Sequence, residues 1–89
     1  MEIKKKVWPE YFQQILNGTK KFDLRLADFN IKEGDVLILE EYDPETNTYT
    51  GRSIRKKTGT IIKVNPTRMH KLEDIKKYGF YIIELKWQS

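Results

Sequence analysis

The 89-residue chain has no cysteine and one histidine, His70. The first absence excludes disulfide staples, thiolate metal sites and cysteine nucleophiles. The second leaves no imidazole pair for a metal and no histidine base next to Ser53, Thr58 or Thr60 in the sequence. His70, beside Lys71, reads as an ordinary surface residue. Only carboxylates remain as metal ligands, and Glu40, Glu41 and Asp43 read as the solvated charges of a hairpin. Glycine-rich phosphate loops and dinucleotide fingerprints are also missing, so no cofactor and no metal are expected. No apolar run approaches the roughly 20 residues that span a bilayer. Lys4-Lys5-Lys6 is not followed by a long apolar stretch, which does not fit a secretory leader. The expectation is a cytoplasmic chain with no membrane partner.

What the chain does have is charge and aromatic rings. Seventeen Lys and Arg against thirteen Asp and Glu give a net charge of +4, a balance that permits nucleic-acid binding without establishing it. Hydrophobic residues make up 38%, including eleven aromatics, enough for one small core. We therefore expect a single domain over residues 1–89, monomeric by default. The charge is segregated. Acidic residues gather between Glu33 and Glu45, basic ones at Lys20, Lys21 and Arg25 and again from Arg52 to Lys57.

Periodicity divides the chain into short elements. Residues 2–8 alternate, with Ile3, Lys5 and Val7 on one side and Lys4 and Lys6 on a solvated one. Pro9 suits the first turn of a helix that presents Tyr11, Phe12, Ile15 and Leu16 and ends at Gly18. Phe22 to Leu26 alternates again. The expected register buries Phe22, Leu24 and Leu26 and displays Lys21, Asp23 and Arg25 as a charged row. Val36 to Tyr42 is apolar on both faces, as in a central strand. Asp43 to Asn47 is a polar turn, and Tyr42 and Tyr49 flank a hairpin. Tyr49 to Val64 is strand-like but interrupted at Gly51 and Gly59, where bulges or bends are expected. Met69 to Tyr78 predicts a turn or two of helix, and Phe80 to Trp87 a strand. The fold class is α+β, mostly β: a small barrel of about five or six strands, with the first helix covering an end and a short helix before the last strand.

Gly18-Thr19-Lys20-Lys21-Phe22-Asp23-Leu24-Arg25 resembles the G-x-K-x-x-E-x-R signature of the ASCH family, within the PUA-like superfamily, with Asp23 where the family has Glu. Trp8-Pro9-Glu10-Tyr11-Phe12, Gly34-Asp35-Val36-Leu37 and Thr50-Gly51-Arg52-Ser53 extend the likeness over most of the chain. The resemblance implies a PUA-like β-barrel and a cleft that binds RNA or a nucleotide. It places Arg52 in that cleft beside Lys20, Asp23 and Arg25.

Lysine and arginine suit phosphate oxygens, which makes Lys20, Lys21, Arg25 and Arg52 the candidate ligand-binding cations. Asp23 would orient Arg25 or accept a hydrogen bond from a base or ribose. Trp8, Tyr11 and Tyr49 are candidates to stack a base, each also suited to a core. Some ASCH-type proteins are amidohydrolases acting on acetylcytidine through a lysine, a threonine and a glutamate. Lys20 matches that lysine, Asp23 occupies the threonine position, and Glu73 and Glu84 are candidates for the glutamate. A third reading is a protein-interaction module that docks a partner on the acidic hairpin and the strand around Arg55.

Overall fold

The structure is a computed structural model that describes residues 1–64 and 79–87. The helix expected at Met69 to Tyr78, together with His70 and Glu73, lies outside the described residues. Strand β1 is Glu2–Val7, helix α1 Pro9–Leu16, β2 Phe22–Leu26, β3 Val36–Asp43, β4 Thr48–Val64 and β5 Phe80–Trp87. The five strands form one mixed sheet in the order β1-β3-β4-β5-β2. β1 runs parallel to β3, and the other neighbours are antiparallel.

β3 is central because both of its edges are used. Leu37 and Leu39 are fully buried on one face, and Val36 and Ile38 are half-buried on the other. Asp43 starts the turn by accepting a hydrogen bond from the Glu45 N–H at 2.9 Å, and the hairpin returns as β4. The 17-residue β4 bends rather than breaks. Its register against β3 shifts between Glu40 and Tyr42, opposite Gly51, and its register against β5 shifts between Thr58 and Ile61, at Gly59. Both expected glycine irregularities are therefore present. At Gly59 the backbone comes so close to β5 that an added methyl would overlap the Glu84 carboxylate. That carboxylate accepts the Thr60 N–H at 2.9 Å.

Helix α1 lies against the inner face of the sheet and completes the core. Phe12 and Ile15 pack with Val7, Leu37, Leu39, Ile83 and Leu85. Of the expected apolar helix face, Tyr11 and Leu16 stay substantially exposed. Two and a half turns present only a narrow stripe to the sheet, so the flanking positions face outward.

The α+β, mostly β class is met; the expected barrel is not shown, and the expected register of β2 is corrected. Among the described residues the strands do not close into a barrel by backbone pairing. β1 and β2 are the two ends of the sheet, joined instead by the Arg25 side chain, whose Nη2 donates to the Lys6 carbonyl at 3.0 Å. The register of β2 is also the reverse of the expected one. Asp23 is 3% exposed, while Phe22 and Leu24 are 58% and 59% exposed. Pairing is the cause. Asp23 sits opposite Ile83 and Arg25 opposite Tyr81, and cross-strand partners share a face. Ile83 is core, so Asp23 and Arg25 turn inward. Phe22 and Leu24 lie on the outer face, where Leu24 pairs with Ile82, itself paired with Ile62.

Candidate functional site

The turn between α1 and β2 is stitched by its own backbone. Asn17 N–H donates to the Gln13 carbonyl, Gly18 N–H to Ile15 and Lys20 N–H to Gln14, at 3.0, 3.2 and 2.9 Å. Gly18 adopts φ +82°, a left-handed conformation that a side chain would disfavour. The Asn17 side-chain oxygen accepts the Thr19 N–H at 3.0 Å. This fixed turn delivers Lys20 beside the helix and starts β2 with Asp23 and Arg25 facing inward.

The result is a cleft of about 480 Å³ between the edges of β1 and β2 and the start of α1, with Lys6, Trp8, Tyr11, Lys20, Asp23 and Arg25 among its walls. Trp8 and Tyr11 stack with ring centroids 6.4 Å apart and planes 22° apart. Both are open to solvent, at 50% and 42% exposure. The Lys20 ammonium lies 4.6 Å from the centre of the Tyr11 ring, a cation–π contact that holds the charge at the rim. Asp23 accepts a hydrogen bond from Arg25 Nε. Burial raises the Asp23 carboxyl above the ordinary range, outweighing the opposing pull of Arg25 and, more weakly, Lys20.

Five candidates from the sequence therefore meet, in a cleft rather than in the expected surface row: Lys20, Asp23, Arg25, Trp8 and Tyr11 all line it. Lys21 is exposed and lines a neighbouring hollow instead. Arg52 is not among the cleft's walls. Its guanidinium grips Glu41 through two hydrogen bonds of 2.9 Å and lies 4.8 Å from the Phe12 ring centre. Glu41 is buried rather than solvated, and it also accepts the Thr50 hydroxyl at 2.6 Å. These bonds lower its carboxyl to about 2, with Arg52 the larger contributor and Thr50 the next. Tyr49 packs edge-on against Tyr42, centroids 5.1 Å apart, away from the cleft walls.

Sequence reasoning missed Lys6, which it placed on a solvated face. Lys6 lines the cleft, and its ammonium sits 4.4 Å from the centre of the Tyr42 ring. The available signal was its position two residues before Trp8 on a lysine-rich strand. Lys5 was likewise missed; its ammonium lies 3.9 Å from the Phe29 ring centre, in a second hollow that shares Lys6, Leu24 and Arg25 with the first.

An exposed aromatic pair, flanking ammonium groups and an inward carboxylate–guanidinium pair line a polar cleft on a small mixed sheet. The chain belongs to the DUF3850 family, a domain of unknown function, whose model matches residues 3–75. No curated protein matches it. Its fold is similar to the crystal structure of hypothetical protein PH0355, with a TM-score of 0.72 and 22% identity over 97% of this chain and 98% of that one. It is also similar to the solution structure of protein PF0455 from Pyrococcus furiosus, with a TM-score of 0.60 and 22% identity over 97% of this chain and 96% of that one.

Proposed function

We propose that the cleft binds RNA or a nucleotide and performs no chemistry on it. The observation that carries this reading is the solvent-open Trp8–Tyr11 stack with the Lys6 and Lys20 walls around it. A base laid on such a pair gains stacking energy, and ammonium groups beside it meet the attached phosphate. The Asp23–Arg25 pair offers one acceptor and spare donors deeper in the cleft, suited to a base edge or a ribose hydroxyl. Preference for RNA rests on the ASCH resemblance, and with it the PUA-like reading, in which the Arg25 bridge to Lys6 draws the sheet's two ends together.

The amidohydrolase reading finds less support. Among the described residues the cleft walls offer no serine or threonine hydroxyl, and Asp23, at the threonine position, is tied to Arg25. The test is calorimetric titration of wild type and Trp8→Ala with single-stranded RNA. Loss of one stacking partner should weaken binding by roughly 1–3 kcal/mol. Unchanged affinity in Trp8→Ala would remove the stacking role. Hydrolysis of acetylcytidine by wild type, abolished in Lys20→Ala, would replace binding with catalysis.

A further inference from the structure

At the turn that carries Gly18 and Lys20 lies a third hollow, of about 330 Å³. Ile15, Gly18 and Leu85 form its apolar walls, and Lys20, Lys21, Lys56 and Lys86 complete it. Among the described residues that line it, none is acidic. Lys20 belongs to both the cleft and this hollow, so the two are neighbours across a single side chain.

The lysines are not needed to satisfy the end of α1. The carbonyls of Gln13, Gln14 and Ile15 already accept backbone N–H groups from Asn17, Lys20 and Gly18. Nor does strand pairing scatter the lysines. The Leu85 N–H donates to the Lys21 carbonyl at 2.9 Å, which draws the start of β2 against the end of β5. Like charges held together in this way gain most from a ligand with more than one negative oxygen.

We propose that this lysine-lined hollow is a phosphate subsite for the nucleotide next to the one stacked on Trp8 and Tyr11, so that the ligand is a single strand of several nucleotides rather than a mononucleotide. The strand assignment rests on the cleft reading above; the anion site does not. Lys20 then stands between two successive phosphates. The hollow around Lys5, Lys6 and Arg25, which also contains Asp28, shares walls with the cleft.

The test compares 5′-adenylate with the 5′-phosphorylated adenylate trinucleotide, titrated into wild type, Lys21→Ala and Lys86→Ala over a range of salt. Both variants change exposed side chains, and a circular dichroism melt checks that each folds. The trinucleotide should bind at least tenfold more tightly than the mononucleotide. Its log–log salt dependence should be steeper by about 0.7 for each added phosphate engaged. Lys86→Ala should weaken the trinucleotide roughly fivefold and leave the mononucleotide within twofold. Equal losses for both ligands, or a trinucleotide that binds no tighter than the mononucleotide, would overturn the strand assignment. Inorganic tripolyphosphate, followed through the amide resonances of Lys21, Leu85 and Lys86, tests the hollow alone. Shifts abolished in the Lys21→Ala/Lys86→Ala double variant, with no nucleotide binding anywhere, would keep the anion site and sink the stacking cleft. No shift at these amides would overturn the anion site whatever the cleft does.

Discussion

Of the carboxylate–arginine pairs among the described residues, the two with buried carboxylates have electrostatics that run in opposite directions. Glu41 holds Arg52 with both oxygens, accepts Thr50 as well, and its carboxyl is lowered to about 2. Asp23 holds Arg25 through a single nitrogen, and its carboxyl is raised because burial outweighs the pairing. The difference lies first in burial, which dominates at Asp23, and then in the Arg52 and Thr50 hydrogen bonds, which dominate at Glu41. Glu41 is satisfied within the protein and fastens the hairpin under α1. Asp23 lines the cleft with Arg25 as its side-chain partner, and there burial outweighs the pairing.

The comparison breaks most visibly in stability. Glu41→Gln should cost about 1–3 kcal/mol, since it removes the charge that Arg52 and Thr50 both bind while leaving their side chains in place. Urea denaturation at neutral pH measures this. Asp23→Asn should change stability by less than about 1 kcal/mol, because the buried charge it removes was poorly paid for by Arg25, which keeps its bond to the Lys6 carbonyl. An Asp23→Asn protein less stable than Glu41→Gln would erase the distinction.

The second difference is in acid. A carboxylate held below its ordinary value contributes stability that is complete above that value and lost as pH falls through the folded one. For Glu41 the window runs from the ordinary 4.5 down to about 2. Asp23 has the reverse sign: its folded form binds the proton more tightly, so its ionisation costs stability as pH rises from the ordinary 3.8 through its raised value. Stability curves against pH should therefore flatten in the acid limb for Glu41→Gln. For Asp23→Asn the relative gain should appear on the neutral side. A Glu41→Gln curve parallel to wild type from pH 5 to 2 would contradict the assignment.

The smallest effect is the most specific. Arg25→Ala should raise the Asp23 carboxyl further, because the largest group opposing burial is gone. Carboxyl-carbon NMR reads this directly. The same substitution frees the Lys6 carbonyl and should loosen the β1–β2 ends, seen as faster amide exchange in residues 22–26 and nowhere in β3.

The contrast also marks what the residue pattern conveys and what it withholds. The turn at Gly18, the hairpin after Asp43, the two-faced β3 and the bends at Gly51 and Gly59 follow from local chemistry and were legible. The shared cleft of Lys20, Asp23 and Arg25 was legible only in part, since Arg52 and Tyr49 do not line it and Asp23 faces inward. The facing of β2 was not. Phe22-Asp23-Leu24-Arg25 alternates equally well in either register, and only pairing with Ile83 decides which set turns inward. Glu41 and Arg52 lie eleven residues apart across a hairpin whose register shifts between them. No local period joins them, so Glu41 reads as solvated charge and Arg52 as a cleft cation.

The sheet that ends at β1 and β2 has a consequence for how the protein behaves among copies of itself. A free strand edge is a template for another strand, and cross-molecular pairing is the usual first step of aggregation. β1 carries Lys4, Lys5 and Lys6 in succession along that edge. A second β1 brought alongside would set three ammonium groups against three more. Lys5 and Lys6 also meet the rings of Phe29 and Tyr42 within the molecule, which keeps those side chains in place at the edge. Lys6, in the wall of the cleft, and Lys5, in the wall of the hollow beside it, should thus also guard this edge against fibrillar stacking, and a variant that neutralised Lys4, Lys5 and Lys6 should lose colloidal stability before it lost its fold.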